Sequence, residues 1–211
     1  MTLYMPEHFV VDDAEAQFAF MERYAFGTLI TSSATGELHV SHIPFLPRRD
    51  GSGRVRLLAH VARGNDHWRA LGEARHNLAI FRGPHAYVSP GWYEKHPAVP
   101  TWNYAVVHAE GRARLMEEAE LHELLLELST TYEAGRPKPW RMSELPASFV
   151  DTMLKAIVGF EIEVERIEGK FKLSQNRAAE APRVIAALEA EGEGELAALM
   201  REHPAHKGKI A

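Results

Sequence analysis

The sequence predicts a mainly β fold, an antiparallel barrel with helices added. Apolar and polar residues alternate at period two in several short runs, the mark of half-buried strands. The runs lie close together and are separated by turn residues, so short connections join them. The chain has no strand–helix–strand rhythm and no GxGxxG after a strand, which argues against a dinucleotide-binding sheet.

Taken in order, Asp12 or Asp13 can cap a short helix whose buried face is Ala14, Phe18, Met21 and Ala25. AFGTLIT then reads as a strand with Phe26, Thr28 and Ile30 on one side, and ELHVSHIPF resumes the pattern. The two form a hairpin with Thr35-Gly36 near its tip, ended by Pro44 and Pro47, and RRDGSG is a solvated turn. RVRLLAHVA alternates again, with Val55, Leu57, Ala59 and Val61 on one face. A helix follows, capped by Asn65 or Asp66, with Trp68 and Leu71 inward. NLAIFR is a short buried strand.

Gly83 to Tyr104 is different in kind. It holds Tyr87, Trp92, Tyr93, Trp102 and Tyr104 together with Pro84, Pro90, Pro97 and Pro100. Prolines at this density oppose a long helix or a continuous central strand, so an ordered loop with short extended pieces is expected. Aromatic rings on a stiffened loop form a flat surface suited to a planar ligand, or a plug for the end of a small barrel.

From Asn103 to Met116 the alternation is regular, with Ala105, Val107, Ala109 and Gly111 on one face. Those small residues permit close packing, in the barrel or against a second subunit. Residues 118–132 form an amphipathic helix through Leu121, Leu124, Leu125 and Leu128. ASFVDTMLKA is a further helix with Phe149, Val150, Met153 and Leu154 inward. IVGFEIEVERIEG is a strand and KFKLSQNR closes the core. From Ala178 the chain is helical, broken at Gly192 and Gly194, with the tail HPAHKGKIA loose. The domain organisation expected is a barrel over residues 1–177 and a helical extension over 178–211 packed on it.

Composition narrows the function. The chain has 211 residues, 45% of them hydrophobic, enough for one domain with a real core. No apolar run approaches the length of a membrane span, and MTLYMPEHFV lacks a basic region followed by a long apolar stretch. Cysteine is absent, which excludes disulfides and thiolate chemistry and fits a cytoplasmic location. A net charge of −5 makes a poor general DNA binder. No metal site is expected: His39 and His42 fall on opposite faces of a strand, and HExxH is absent. Ser41, Ser89 and Ser174 lack the GxSxG setting of a hydrolase nucleophile.

The segments GPHAYVSPGWY and VPTWNY resemble the signature of the PaiB family, FMN-binding negative transcriptional regulators. GTLITS (27–32), HVARGNDHW (60–68) and IVGFEIEVERIEGKFKLSQNR (157–177) fit the same family. The resemblance implies an FMN-binding split β-barrel, usually a homodimer, with DNA a partner by resemblance only. A phosphate needs converging cationic and N–H donors, and HVARGN offers His60, Arg63 and Asn65 before a helix start. The resemblance assigns the FMN phosphate to these three; the same residues also read as a surface arginine and an ordinary cap. It sets Lys172, Ser174 and Gln175 beside the flavin, where a basic solvated turn is the plainer reading. Trp102, Asn103 and Tyr104 can supply a stacking wall and edge hydrogen bonds. An FMN-dependent oxidoreductase acting on a small molecule, or a haem-handling split barrel, are the alternative functions.

Overall fold

Period-two alternation becomes strand wherever one face finds a core. In the computed structural model, which describes residues 3–74 and 76–206, eight strands form one mainly antiparallel sheet. They are β1 (Val10–Val11), β2 (Phe26–Ser32), β3 (Leu38–Pro44), β4 (Leu46–Arg49), β5 (Val55–Ala62), β6 (Asn77–Val88), β7 (Thr101–Leu115) and β8 (Ile157–Lys172). The strand order is β3-β2-β6-β7-β8-β5-β4, with β1 paired to β8. Six α-helices accompany them among the described residues: α1 (Ala14–Arg23), α2 (His67–Leu71), α3 (Glu118–Glu133), α4 (Ala147–Lys155), α5 (Ala181–Ala190) and α6 (Gly194–Glu202). This is the predicted fold class: mainly β, with added helices and a helical C-terminal segment. No described helix is long and apolar enough to cross a membrane.

The chain forms two compact units. The first comprises Met1–Phe20, Arg82–Val107 and Glu168–Ala211; the second comprises Met21–Phe81 and His108–Ile167. In the second unit the β2–β3 hairpin pairs Phe26 with Pro44 and Ser32 with Leu38, and Gly36 takes the positive φ its turn requires. Pro47 does not end the strand pattern but lies in β4, the terminal strand of the sheet, where a missing N–H is tolerated. Leu57, Ala59 and Val61 of β5 are buried as predicted, in register with Ile162, Phe160 and Val158 of β8. Gly111 allows β7 to approach β8 so closely that a Cβ there would collide with the Glu163 carbonyl. The small-residue face of β7 therefore packs inside the fold: Ala105, Val107 and Ala109 are fully buried and are not available to a second subunit.

Helix α3 buries Leu121, Leu124 and Leu128 against Leu46 and Leu154. Its Glu117–Glu120 capping box uses both side chains to satisfy backbone donors at the helix start. Three inward assignments are corrected. Phe149 and Met153 of α4 are 50% and 45% exposed, and Leu154 carries the burial. In α2 it is His67, with Leu71, that is buried; Trp68 is half-exposed and its indole N–H donates to the Arg63 carbonyl. In α1 the buried residues are Gln17, Phe20 and Met21, rotated from the predicted face, and Asp13 is the residue whose side chain caps the helix.

In the first unit, β6 continues through Gly83 and Pro84 to Val88, so the irregular segment shrinks to residues 89–100. Pairing with β2 covers only Asn77 to Ile80, so Pro84 lies beyond the stretch where β2 would ask for its N–H. The C-terminal segment is pinned rather than loose at its near end. His206 is fully buried and its Nε2 lies 2.8 Å from the Leu173 carbonyl. The rest of the predicted loose tail lies outside the described residues.

Candidate functional site

The predicted site residues fall in two groups, one in each unit. In the second unit, His60 sits on β5 opposite Gly159. Its Nδ1 is buried with no partner among the described residues, and burial holds its pKa below the ordinary histidine range. Arg63 follows the end of β5. Its Nε donates to the Lys155 carbonyl at 2.7 Å and its Nη2 to the Ile157 carbonyl at 3.0 Å. The guanidinium thus caps the C-terminal end of α4, where cations are favoured. Asn65, not Asp66, makes the side-chain contact at the start of α2: its Oδ1 accepts from the His67 N–H at 3.1 Å.

Asn65 also donates through Nδ2 to Ser41 Oγ at 3.0 Å, and Ser41 Oγ lies 2.8 Å from His67 Nδ1. The His67 tautomer sets which of the two donates, and the ring's other nitrogen is Nε2. That Nε2 is buried and has no partner among the described residues. His67 is 2% exposed, and burial first, then the His39 ring 5.6 Å away, lower its pKa to about 4. Ser41 and His67 were missed in the sequence, although Ser41 alternates inward with Ile43 on β3 and His67 follows the cap. His39 and His42 do part as alternation requires, His42 bonding Thr28 Oγ1 at 3.0 Å instead.

In the first unit, alternation along β7 splits the Trp102–Tyr104 triplet. Trp102 is 55% exposed, stacked on His85 at 6.3 Å and edge-on to Tyr87 at 6.1 Å. Tyr104 shares that face, with Lys170 Nζ 5.5 Å from its ring. Asn103 faces the other way and is fully buried, its Nδ2 donating to Ser174 Oγ at 2.8 Å. Ser174 holds a positive φ of 65°, a strained conformation for a residue with a Cβ. Gln175 turns back on its own strand, accepting from Leu173 N–H at 2.7 Å and donating to the Phe171 carbonyl. Lys172 Nζ donates to Thr101 Oγ1 at 2.5 Å and to the Trp102 carbonyl at 2.7 Å. Burial, then Lys170, lowers its pKa. So Trp102, Tyr104 and Lys172 form or support an outward surface, while Asn103, Ser174 and Gln175 brace it from within. His85 and Tyr87, absent from the predicted site, complete the surface; they would have been found had β6 been extended past Pro84.

Chemically, the first unit offers exposed rings edged by cations, suited to a planar, electron-poor ring system. The second offers a buried, neutral imidazole and an arginine beside a helix start. Neither group supplies a protein acid–base pair poised for chemistry of its own.

The family model described as "Putative FMN-binding domain" matches residues 3–166. The chain is 38% identical to Protease synthase and sporulation protein PAI 2 of Bacillus subtilis, over 83% of this chain and 83% of that protein. It is 34% identical to the uncharacterized protein AN0679 of Emericella nidulans, over 77% and 82% of the two chains. Among solved structures, the FAD and haem binding protein of Mycobacterium smegmatis superposes with a TM-score of 0.58 at 18% identity, covering 77% of this chain and 73% of that one. The flavocytochrome Anf3 of Azotobacter vinelandii gives 0.54 at 17% identity, covering 77% and 69%. These two likenesses concern the fold, a split barrel.

Proposed function

The chain belongs to the FMN-binding domain family, and we propose that it uses bound FMN as a negative regulator of gene expression of the PaiB type. The observation that carries the flavin reading is the family match over residues 3–166, which contains the HVARGN turn and the whole Gly83–Tyr104 stretch. The exposure of Trp102 between His85 and Tyr87 supports it, because a large ring left in water on a strand is suited to cover a ligand. In this reading Trp102 and Tyr104 face the isoalloxazine, with Lys172 behind them. Within the second unit, His60, Arg63 and Asn65 are the candidate phosphate ligands, Arg63 through the part of its fork not turned to the carbonyls. Asn103, Ser174 and Gln175 position the flavin-facing strand. The flavin domain spans residues 1–177, and 178–211 extend it. FMN, when bound, would supply redox chemistry. Titration of the purified protein with FMN, followed by flavin fluorescence, should saturate at one FMN per chain; no uptake by folded protein would overturn the assignment.

The protein is proposed to act as a cytoplasmic homodimer. The support is an apolar outer face on the β2–β3 hairpin, where Phe26, Leu38 and Val40 are 69%, 66% and 55% exposed. Monomeric light scattering at micromolar concentration would count against this.

The second reading is an FMN-dependent oxidoreductase. It is favoured by the way the arginines at the start of β5 and on β7 are spent: Arg54 on Glu163, Arg56 on Glu161, Arg112 on Glu165, and Arg114 on Glu120 and Glu161. Neutralised cations and a net charge of −5 leave little to grip phosphates. Weak binding to random duplex DNA at physiological salt is expected; tight binding would remove this objection to direct DNA contact.

A further inference from the structure

The second unit contains a cavity of about 420 Å³ whose lining, His60 apart, takes no part in the flavin assignments. Pro44, His60, residues of α3 and α4 and the segment between those helices line it. Its walls are apolar: Leu125, Leu128, Met142, Leu145, Val150 and Met153. The size lies in the range of small-molecule sites. Around it four large side chains keep about half their surface in water: Tyr132 at 50%, Trp140 at 48%, Phe149 at 50% and Met153 at 45%. Methionines in such a wall adapt to ligands of differing outline.

The polar groups in the lining narrow the choice of occupant. Ser129 Oγ already donates to the Leu125 and Leu126 carbonyls, at 2.8 and 2.9 Å. Glu133 accepts from the Trp140 N–H at 2.9 Å and pairs with Arg136 at 3.2 Å. The imidazole of His60 and the hydroxyl of Tyr132 remain as polar handles. The lining includes a carboxylate, Glu133, and no lysine or arginine, so an anion such as a flavin phosphate is disfavoured.

We propose that this cavity binds an uncharged aromatic small molecule carrying one or two hydrogen-bonding atoms. The rings of Tyr132, Trp140 and Phe149 would cover its faces, and removing their apolar surface from water would drive the association. The site is distinct from the flavin surface of the first unit. His60 is the one residue it shares with the proposed phosphate group.

Prodan, an uncharged naphthyl ketone dye whose emission moves to the blue in apolar surroundings, is a direct probe. The full-length protein, flavin-free and flavin-loaded, should bind one prodan per chain saturably. Met153→Trp, at a half-exposed position, should weaken that binding about tenfold while leaving the melting temperature and FMN uptake unchanged. Leu145→Trp provides a second narrowing variant, and Met153→Leu should bind as the unmodified chain does. Three results would overturn the proposal: no saturable blue shift; displacement of prodan by stoichiometric FMN or riboflavin, which would make the cavity the flavin's own; or prodan binding that follows dimer dissociation on dilution, which would make it an interface. Because the flavin-free protein is measured too, a failure to bind FMN leaves this test intact.

Discussion

The turn after β5 and the outer face of β7 are both built from residues able to hold a flavin, and they differ in what those residues are already doing. At the turn, the hydrogen-bonding capacity is largely committed: Arg63 to two backbone carbonyls, Asn65 to Ser41 and His67. On β7, Trp102 keeps more than half its surface in water, even with His85 stacked near it and Tyr87 edge-on to it. A phosphate-competent residue type is therefore weaker evidence than a side chain with unspent surface. In the turn, a ligand would compete with the fold for the same donors; on the strand it would not. Substitutions should accordingly move stability in the first region and affinity in the second.

Acid sharpens the contrast most. His67 has a folded pKa of about 4, and an unfolded histidine titrates near 6.5. The unfolded chain thus binds the proton first as pH falls, so the stability that neutral His67 contributes is complete above pH ~6.5 and is lost as pH drops toward 4. The loss is at most roughly 3 kcal/mol. Burial lowers the pKa of His60 and His203 as well, adding in the same direction. Urea unfolding at several pH values should show His67→Gln with a shallower acid slope than the unmodified protein. An unchanged slope would mean that burial and the His39 ring do not hold the His67 ring neutral.

Arg63→Ala comes next. Losing hydrogen bonds from a charged donor to two carbonyls should cost about 2 kcal/mol of stability, visible in flavin-free protein. If Arg63 also meets the phosphate, FMN affinity falls more than riboflavin affinity. Equal losses for the two flavins would confine the residue to capping α4.

Trp102→Ala should do the reverse: roughly tenfold weaker FMN binding by fluorescence titration, with little change in melting temperature. A large drop in stability would show that the ring serves the fold. Smallest, Gln175→Ala should lower stability by about 1 kcal/mol through its two local backbone bonds, and touch FMN affinity only indirectly.

Alternation placed the two faces of β5 and β7 correctly, because side-chain direction in a strand is a local property of the backbone. The leucines of α3 and the hairpin at Gly36 were legible for the same reason. The motifs were sufficient to identify the family. What they could not convey was whether a polar side chain was free. The carbonyls that take up Arg63 lie 92 and 94 residues away in sequence, and the serine that bonds Asn103 lies 71 away. The persistence of β6 through Pro84 depended on where its neighbour's pairing stops. Phe149 and Met153, inward by periodicity, instead line the apolar cavity and keep about half their surface in water. In the strands, local periodicity determined which way each side chain points; only the tertiary structure decided which faces of α1, α2 and α4 are buried and what stands against each side chain, because hydrogen-bond partners and cavities are made by residues distant in the chain.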